Sequence, residues 1–133
     1  MDKCHKQRVQ LAKEFKACQK AFIALGDETR HMIIIALLES DTHGIRVGEI
    51  TKKTHLSRPA VSHHLQILKN AGIINMYREG TKNYYYVNAN ETVWRQLAEF
   101  MDNIYDLVQE ISNKSCAKSD AEIRTIEKEG YIS

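Results

Sequence analysis

The sequence predicts a mainly α-helical fold with one small β-hairpin, a winged helix-turn-helix, on three observations. Residues 57–72 read as a helix with an apolar side and an opposite side of compact polar groups. A short amphipathic segment precedes that helix across a tight turn, and two β-prone runs follow it around Gly80. The three together are a positioning helix, a helix with a free polar face and a hairpin beside it.

The first element is an N-terminal helix. Cys4, Leu11, Phe15, Cys18, Phe22 and Leu25 recur at spacings of seven, four, three, four and three, a heptad-like apolar seam on one helix. After Gly26, Asp27 is placed to cap a second helix that opens Glu28-Thr29-Arg30. Its run Met32–Leu38 is apolar all round, as expected of a helix buried on most sides.

Asp41-Thr42-His43-Gly44 is a turn-like link, and Ile45, Val47 and Ile50 begin a short helix through about Thr54 that carries Lys52 and Lys53. In the helix that follows, Ser57 suits the N-cap, Pro59 stands in the first turn where a missing N–H costs nothing, and Gly72 falls just past the end. At about 100° per residue, Val61, Leu65 and Leu68 share one stripe. Ser57, Arg58, Pro59, Ala60, Ser62, His63 and Gln66 occupy the other side and its leading end, with no acidic side chain among them. Compact donors and acceptors of this kind reach base edges in a major groove wide enough to admit a helix.

Residues 73–77 and 83–87 are β-prone runs flanking Arg78-Glu79-Gly80-Thr81-Lys82, a hairpin with a basic tip. Arg78 and Lys82, with Lys52, Lys53, Lys69 and Tyr84, are the candidates for phosphate or minor-groove contact. The rival reading of the hairpin's charges is solubility, and Tyr84, Tyr85 and Tyr86 read more readily as core and rim than as a stacking platform for single strands. The last strong helix, 91–112, aligns Val93, Leu97, Phe100, Ile104, Leu107 and Ile111 at alternating four and three, with Met101 and Val108 widening the stripe. Two terminal helices with such seams, flanking a domain too small to cover both, imply a homodimer. Its interface is expected to use Leu11, Phe15, Cys18 and Phe22 with the six residues of the last seam. Residues 1–112 form the domain on this reading, and 113–133 a polar tail with a weak helical signal near 121–128.

The charge is unevenly laid out. Seven Lys and Arg stand against Glu49 and Glu79 between Gly44 and Asn88, a local balance of +5, whereas residues 89–112 hold Arg95 against five acids, a balance of −4. A basic centre gains from counterion release on a polyanion, and an acidic terminal helix is kept away from one.

The composition, 43% apolar and 27% charged over 133 residues, is that of a single globular domain. No run reaches the apolar length of a membrane span and the start lacks a signal peptide's apolar centre, so a cytoplasmic protein with no membrane partner is expected. No phosphate loop, nucleophile–base set or dense ligand cluster points to an enzyme. Cys4, Cys18 and Cys116 are odd in number and lack a Cys-x-x-Cys element, so reduced thiols are the expectation. Two readings of them remain: small apolar residues in an interface, or a sensing site at Cys4, Cys18 and Cys116 that works as a thiol switch or takes a soft metal with His5. Adjacent His63 and His64 point about 100° apart and do not share an ion easily.

The stretches Ala24-Leu25-Gly26-Asp27-Glu28-Thr29-Arg30, Val47-Gly48-Glu49-Ile50, 56–65, Leu68-Lys69-Asn70-Ala71-Gly72-Ile73-Ile74 and Arg78-Glu79-Gly80 resemble the ArsR/SmtB family of bacterial winged-helix repressors. The resemblance covers residues 20 to 90. It implies a homodimer joined through its first and last helices, paired recognition helices on an imperfect inverted repeat of double-stranded operator DNA, and release by an inducer, often a metal or metalloid ion. The family's Cys-Val-Cys metalloid site is replaced here by Arg46-Val47-Gly48, and the last helix holds no histidine for the zinc-type site. No cofactor is therefore expected at the family's usual positions, the inducer is unassigned, and a soft metal or metalloid at the non-standard cysteines is the alternative. From another class, the rival is a winged helix that binds a protein through the same surfaces.

Overall fold

The computed structural model describes residues 3–40, 43–87 and 91–113. Among these the elements run α1 (Lys3–Ala17), α2 (Gln19–Leu25), α3 (Glu28–Leu38), α4 (Val47–Thr54), α5 (Arg58–Asn70), β1 (Ile74–Glu79), β2 (Lys82–Val87) and α6 (Glu91–Ser112). The chain divides into a unit of residues 17–97 and a second unit of residues 1–16 with 98–133. The expected turn at Asp41-Thr42, Cys116 and the tail beyond Asn113 lie outside the described residues.

In the 17–97 unit, α3 packs on α4, α5 and β2, and α5 closes on α2, α4 and β1. Ile33, Ile50, Val61, Leu65, Leu68, Ile73 and Ile74 are all but wholly buried and form its core. The stripe read from the sequence of α5 is thus the stripe the fold buries. Asp27 caps α3 as expected, its carboxylate accepting from the backbone N–H of Arg30 at 3.1 Å. The backbone N–H and then the guanidinium of Arg30 hold the Asp27 carboxyl below its ordinary pKa.

Several expectations are corrected. The N-terminal helix is not continuous: Cys18, at φ −94° and ψ 0°, separates α1 from α2, although the N–H of Phe22 still bonds the Cys18 carbonyl at 3.0 Å. The run Met32–Leu38 is not buried on most sides. Ile33, Ala36 and Leu37 are buried while Met32, Ile35 and Leu38 are 41–65% exposed, because the unit covers one flank of α3. Ile45 does not join α4. It forms an antiparallel bridge to Tyr85 through paired backbone bonds of 2.9 and 2.8 Å, which ties the chain before α4 to the hairpin. The strands run further than the apolar pattern suggests, pairing Ile74 with Val87 through Glu79 with Lys82, so that only Gly80 and Thr81 are left to turn. Gly80 turns at φ +65°, a conformation glycine adopts without steric cost.

The bridge leaves little room at Gly44. A β-carbon there would stand 3.0 Å from Cβ of Tyr84 and 3.3 Å from the Tyr85 carbonyl, whose position the bridge fixes. Gly44→Ala is therefore expected to destabilise the fold by about 1–3 kcal/mol through forced backbone shifts. Urea denaturation checks this, and an unchanged midpoint would mean that the bridge yields freely.

In the second unit, Phe15 and Phe100 meet edge to face at 5.4 Å, and Asn103 Nδ2 donates to Glu14 Oε1 at 2.8 Å. Leu11, Phe15, Phe100, Ile104 and Leu107 line an open apolar groove. The residues expected at the interface differ in how far the chain itself covers them. Leu11 and Phe100, and in the first unit Cys18 and Leu97, are buried by the chain itself, whereas Phe22, Val93, Ile104, Leu107 and Ile111 are half-buried. The large apolar side chains left outside on α6 are Met101, Tyr105 and Val108, at spacings of four and three, and on α1 Phe15 is also exposed.

The two described cysteines differ in state. Cys4 is disulfide-bonded, which corrects the expectation of a reduced thiol there, and Cys18 is a buried thiol outside any disulfide.

A candidate nucleic-acid interface

α4 and α5 are joined by three residues, His55-Leu56-Ser57. His55 takes the left-handed conformation, φ 60° and ψ 20°, and its N–H closes on the Thr51 carbonyl at 2.8 Å. Histidine is among the non-glycine residues that tolerate this region. Thr54, buried beneath the turn, donates its hydroxyl to the Ile50 carbonyl at 2.7 Å and receives the N–H of Leu56 at 3.4 Å. Ser57 then caps α5, its Oγ accepting from the N–H of Ala60 at 3.2 Å, with Pro59 in the first turn.

The helix so started presents Ser57, Arg58, Pro59, Ser62, His63 and Gln66 to the outside, with Ala60 half-buried. These positions agree with the sequence reading. Gln66 Nε2 donates to Asn70 Oδ1 at 2.9 Å, which orders the end of the row. At the start of the row, Arg58 Nη1 comes within 3.6 Å of the place a Gly48 side chain would fill, so its head group leans towards α4. Lys52 and Lys53 lie exposed in the last turn of α4, where cations also complement the helix dipole.

The hairpin supplies the second basic element. Arg78 and Lys82 are exposed near its tip, with Arg78 Nε donating to the Gly80 carbonyl at 3.2 Å. Both belong to strands rather than to a loop, and Lys82 stands opposite Glu79, which offsets part of its charge. The Tyr84 ring lies flat on Tyr77, centroids 5.1 Å apart and planes at 13°, so one of its faces is already covered. Lys69 departs from the exposed row: it is half-buried and lines a cavity of about 300 Å³ with Cys18, Lys20 and Leu97.

Sequence reasoning missed the buried Arg30. Its Nε donates to the Ala24 carbonyl at 2.7 Å and Nη2 to the Ile23 carbonyl at 3.0 Å, capping the end of α2, while His31 Nε2 donates to the Leu25 carbonyl. Trp94 was missed as well; its Nε1–H donates to the Ile73 carbonyl at 3.1 Å and ties the start of α6 to the turn after α5. An arginine at the start of an apolar helix reads as a solvent residue, and only the fold of α2 back over it reveals the cap.

A short positioning helix, a three-residue turn, a helix with an outward polar row and a two-stranded hairpin define a winged helix-turn-helix of the DNA-binding kind. Residues 27–76 match the family model described as bacterial regulatory protein, arsR family. An HTH-type transcriptional regulator of Methanocaldococcus jannaschii is 39% identical over 74 residues, 56% of this chain and 81% of that one. The transcriptional repressor SdpR of Bacillus subtilis is 37% identical over 82 residues, 62% of this chain and 86% of SdpR. Among solved structures, an ArsR-like transcriptional regulator from Rhodococcus sp. RHA1 superposes with a TM-score of 0.61 at 20% identity, covering 80% of this chain and 93% of that one, a likeness of fold. The chain belongs to the arsR family of bacterial regulatory proteins, a family of transcriptional regulators.

Among the described residues no helix is long and apolar enough to cross a membrane.

Proposed function

We propose that this regulator is a cytoplasmic, homodimeric repressor that occupies an inverted-repeat operator and leaves it when an inducer acts. The observation that carries the reading is the row Ser57, Arg58, Pro59, Ser62, His63 and Gln66, exposed along α5 and accompanied by Lys52, Lys53, Arg78 and Lys82. The row is the base-reading face, Ala60 offers apolar contact to a thymine methyl, and the cations neutralise phosphates. Tyr84 and Lys69 contribute at the margin. Repression as the direction of control is supported by the 37% identity to SdpR.

Two copies are needed for an inverted repeat. Phe15, Met101, Tyr105 and Val108, each about half exposed, offer the apolar surface for a two-fold contact, extended by Ile104, Leu107 and Ile111.

The release signal we assign to the cysteines. The disulfide-bonded state of Cys4 favours oxidation over metal binding, with Cys18 as a buried thiol, Cys116 as the third cysteine of the site and a soft metal or metalloid as the alternative inducer.

Selection from a random-sequence duplex pool, followed by footprinting of the enriched duplex, tests the reading. Two half-sites about one helical turn apart are expected. The reduced protein is then compared with and without oxidant, zinc and arsenite, beside a variant lacking all three cysteines. If that variant still responds, sensing does not reside in the thiols. Millimolar, salt-independent affinity with no enriched sequence would make the fold a protein-interaction module instead.

A further inference from the structure

The guanidinium of Arg30 reaches further than the end of α2. Arg30 is 9% exposed, and besides its bonds to the Ala24 and Ile23 carbonyls its Nη1 lies 3.4 Å from Nδ1 of His64 on α5 and 3.8 Å from Oδ2 of Asp27. One planar group thus ties the C-terminal end of α2, the cap of α3 and the middle of the recognition helix. A lysine has no matching fork of donors.

The chemistry of the pair fixes the state of the histidine. An arginine side chain only donates and stays charged, so the bond to His64 needs a lone pair on Nδ1 and hence a neutral ring with its proton on Nε2. Protonation of Nδ1 abolishes the acceptor and sets two cations against each other. Among the described residues, the charged or titratable groups that face this ring include Arg30 from α3, Asp27 from the joint before it, and His63 from its own helix at 5.5 Å between centroids. Asp27 favours the cationic ring, yet its carboxylate already serves the backbone and guanidinium of Arg30. His64 adjoins His63, which stands in the exposed row, so whatever fixes the one ring also bears on where the other points.

We propose that Arg30 and neutral His64 are a positioning pair for DNA recognition, holding the middle of α5 on the α2–α3 joint so that the outward row meets the groove. Neither residue is asked to touch DNA. The inference rests on the reading given under Proposed function.

The test uses the duplex enriched by the wild-type protein and fluorescence anisotropy at about pH 8, where a free imidazole is neutral. His64→Ala removes the acceptor, and about tenfold weaker binding at pH 8 is expected, the loss of one hydrogen bond to a charged group. His64→Asn keeps an acceptor near the place of Nδ1 and does not titrate, so it is expected to recover most of that loss. Arg30→Lys is expected to weaken binding as His64→Ala does, and Arg30→Lys with His64→Ala to weaken it little further than either alone, as for two halves of one contact.

Equal affinity of wild type and His64→Ala at pH 8, or losses from Arg30→Lys and His64→Ala that simply add in the double variant, overturns the positioning pair while leaving the DNA-binding reading intact. If the wild-type protein enriches no duplex, the DNA-binding reading fails and this inference fails with it.

Discussion

Leu65→Ala is expected to remove about 2–5 kcal/mol of folding stability, out of the 5–15 kcal/mol typical of a domain of this kind. Leu65 is 1% exposed and lies between Val61 and Leu68 on the one stripe of α5 that faces α2, α4 and β1. The truncation leaves a void that these elements fill only by moving. The loss exceeds what transfer of the missing methyl groups alone would give, because the side chains lining the void also forgo dispersion attraction. Gln66→Ala, one residue along on the exposed side, is the control and is expected to stay within about 0.5 kcal/mol. Urea unfolding followed by circular dichroism measures both. A shift for Leu65→Ala of less than about 1 kcal/mol at unchanged m-value would show that α5 is not the helix around which the core is built.

That Leu65 can be chosen from the sequence at all shows which parts of the fold were legible. Period alone separates the buried from the exposed residues of α5, and Ser57, Pro59 and Gly72 bound the helix by local chemistry that the structure repeats. α6 was equally readable in extent, Glu91–Ser112, because a long amphipathic pattern fixes length well. It was less readable in partnership. The same apolar stripe serves a neighbour in the chain or one in a second copy, and the pattern alone does not show that the chain itself buries Leu97 and Phe100. The break at Cys18 left no mark in the apolar spacing, which runs on through Phe15, Cys18 and Phe22 at three and four as in one helix. Ile45 reads as helical because an apolar residue just before a helix fits either the helix or a strand, and only Tyr85, forty residues on, decides between them.

Of the candidate site, the outward row on α5 was legible because exposure there follows from what the opposite face buries. The wing was legible in kind but not in detail. The pairing that sets Lys82 across from Glu79, and the stacking that covers one face of Tyr84, depend on strand register, which a turn length off by a residue or more changes for every pair. Arg30 was illegible for a different reason. Its partners, Ile23, Ala24 and His64, include a residue thirty-four positions away, and two of the three accept through backbone carbonyls that carry no sequence signal.

The second large effect separates reading from holding. His63→Ala or Gln66→Ala is expected to reduce discrimination between the enriched duplex and one mismatched in a half-site by about 1–3 kcal/mol, since each side chain is exposed on the row proposed as the base-reading face. Affinity for unrelated duplex should change little in either variant. Lys82→Ala is expected to do the reverse, weakening matched and mismatched duplexes alike and lowering the salt slope by about one for each phosphate no longer neutralised. Part of that weakening is blunted by Glu79 opposite, whose charge already offsets the lysine. Lys82→Ala with Glu79→Gln should therefore bind more tightly than Lys82→Ala alone, at no gain in discrimination. Matched and mismatched titrations across a range of salt decide between these outcomes. If His63→Ala and Gln66→Ala both bind every duplex more weakly by the same factor, then α5 lies along the backbone and some other element reads the bases. The hairpin, with Arg78 and Lys82 near its tip, would be the first candidate, and the geometry of α5 would have to be understood as a clamp.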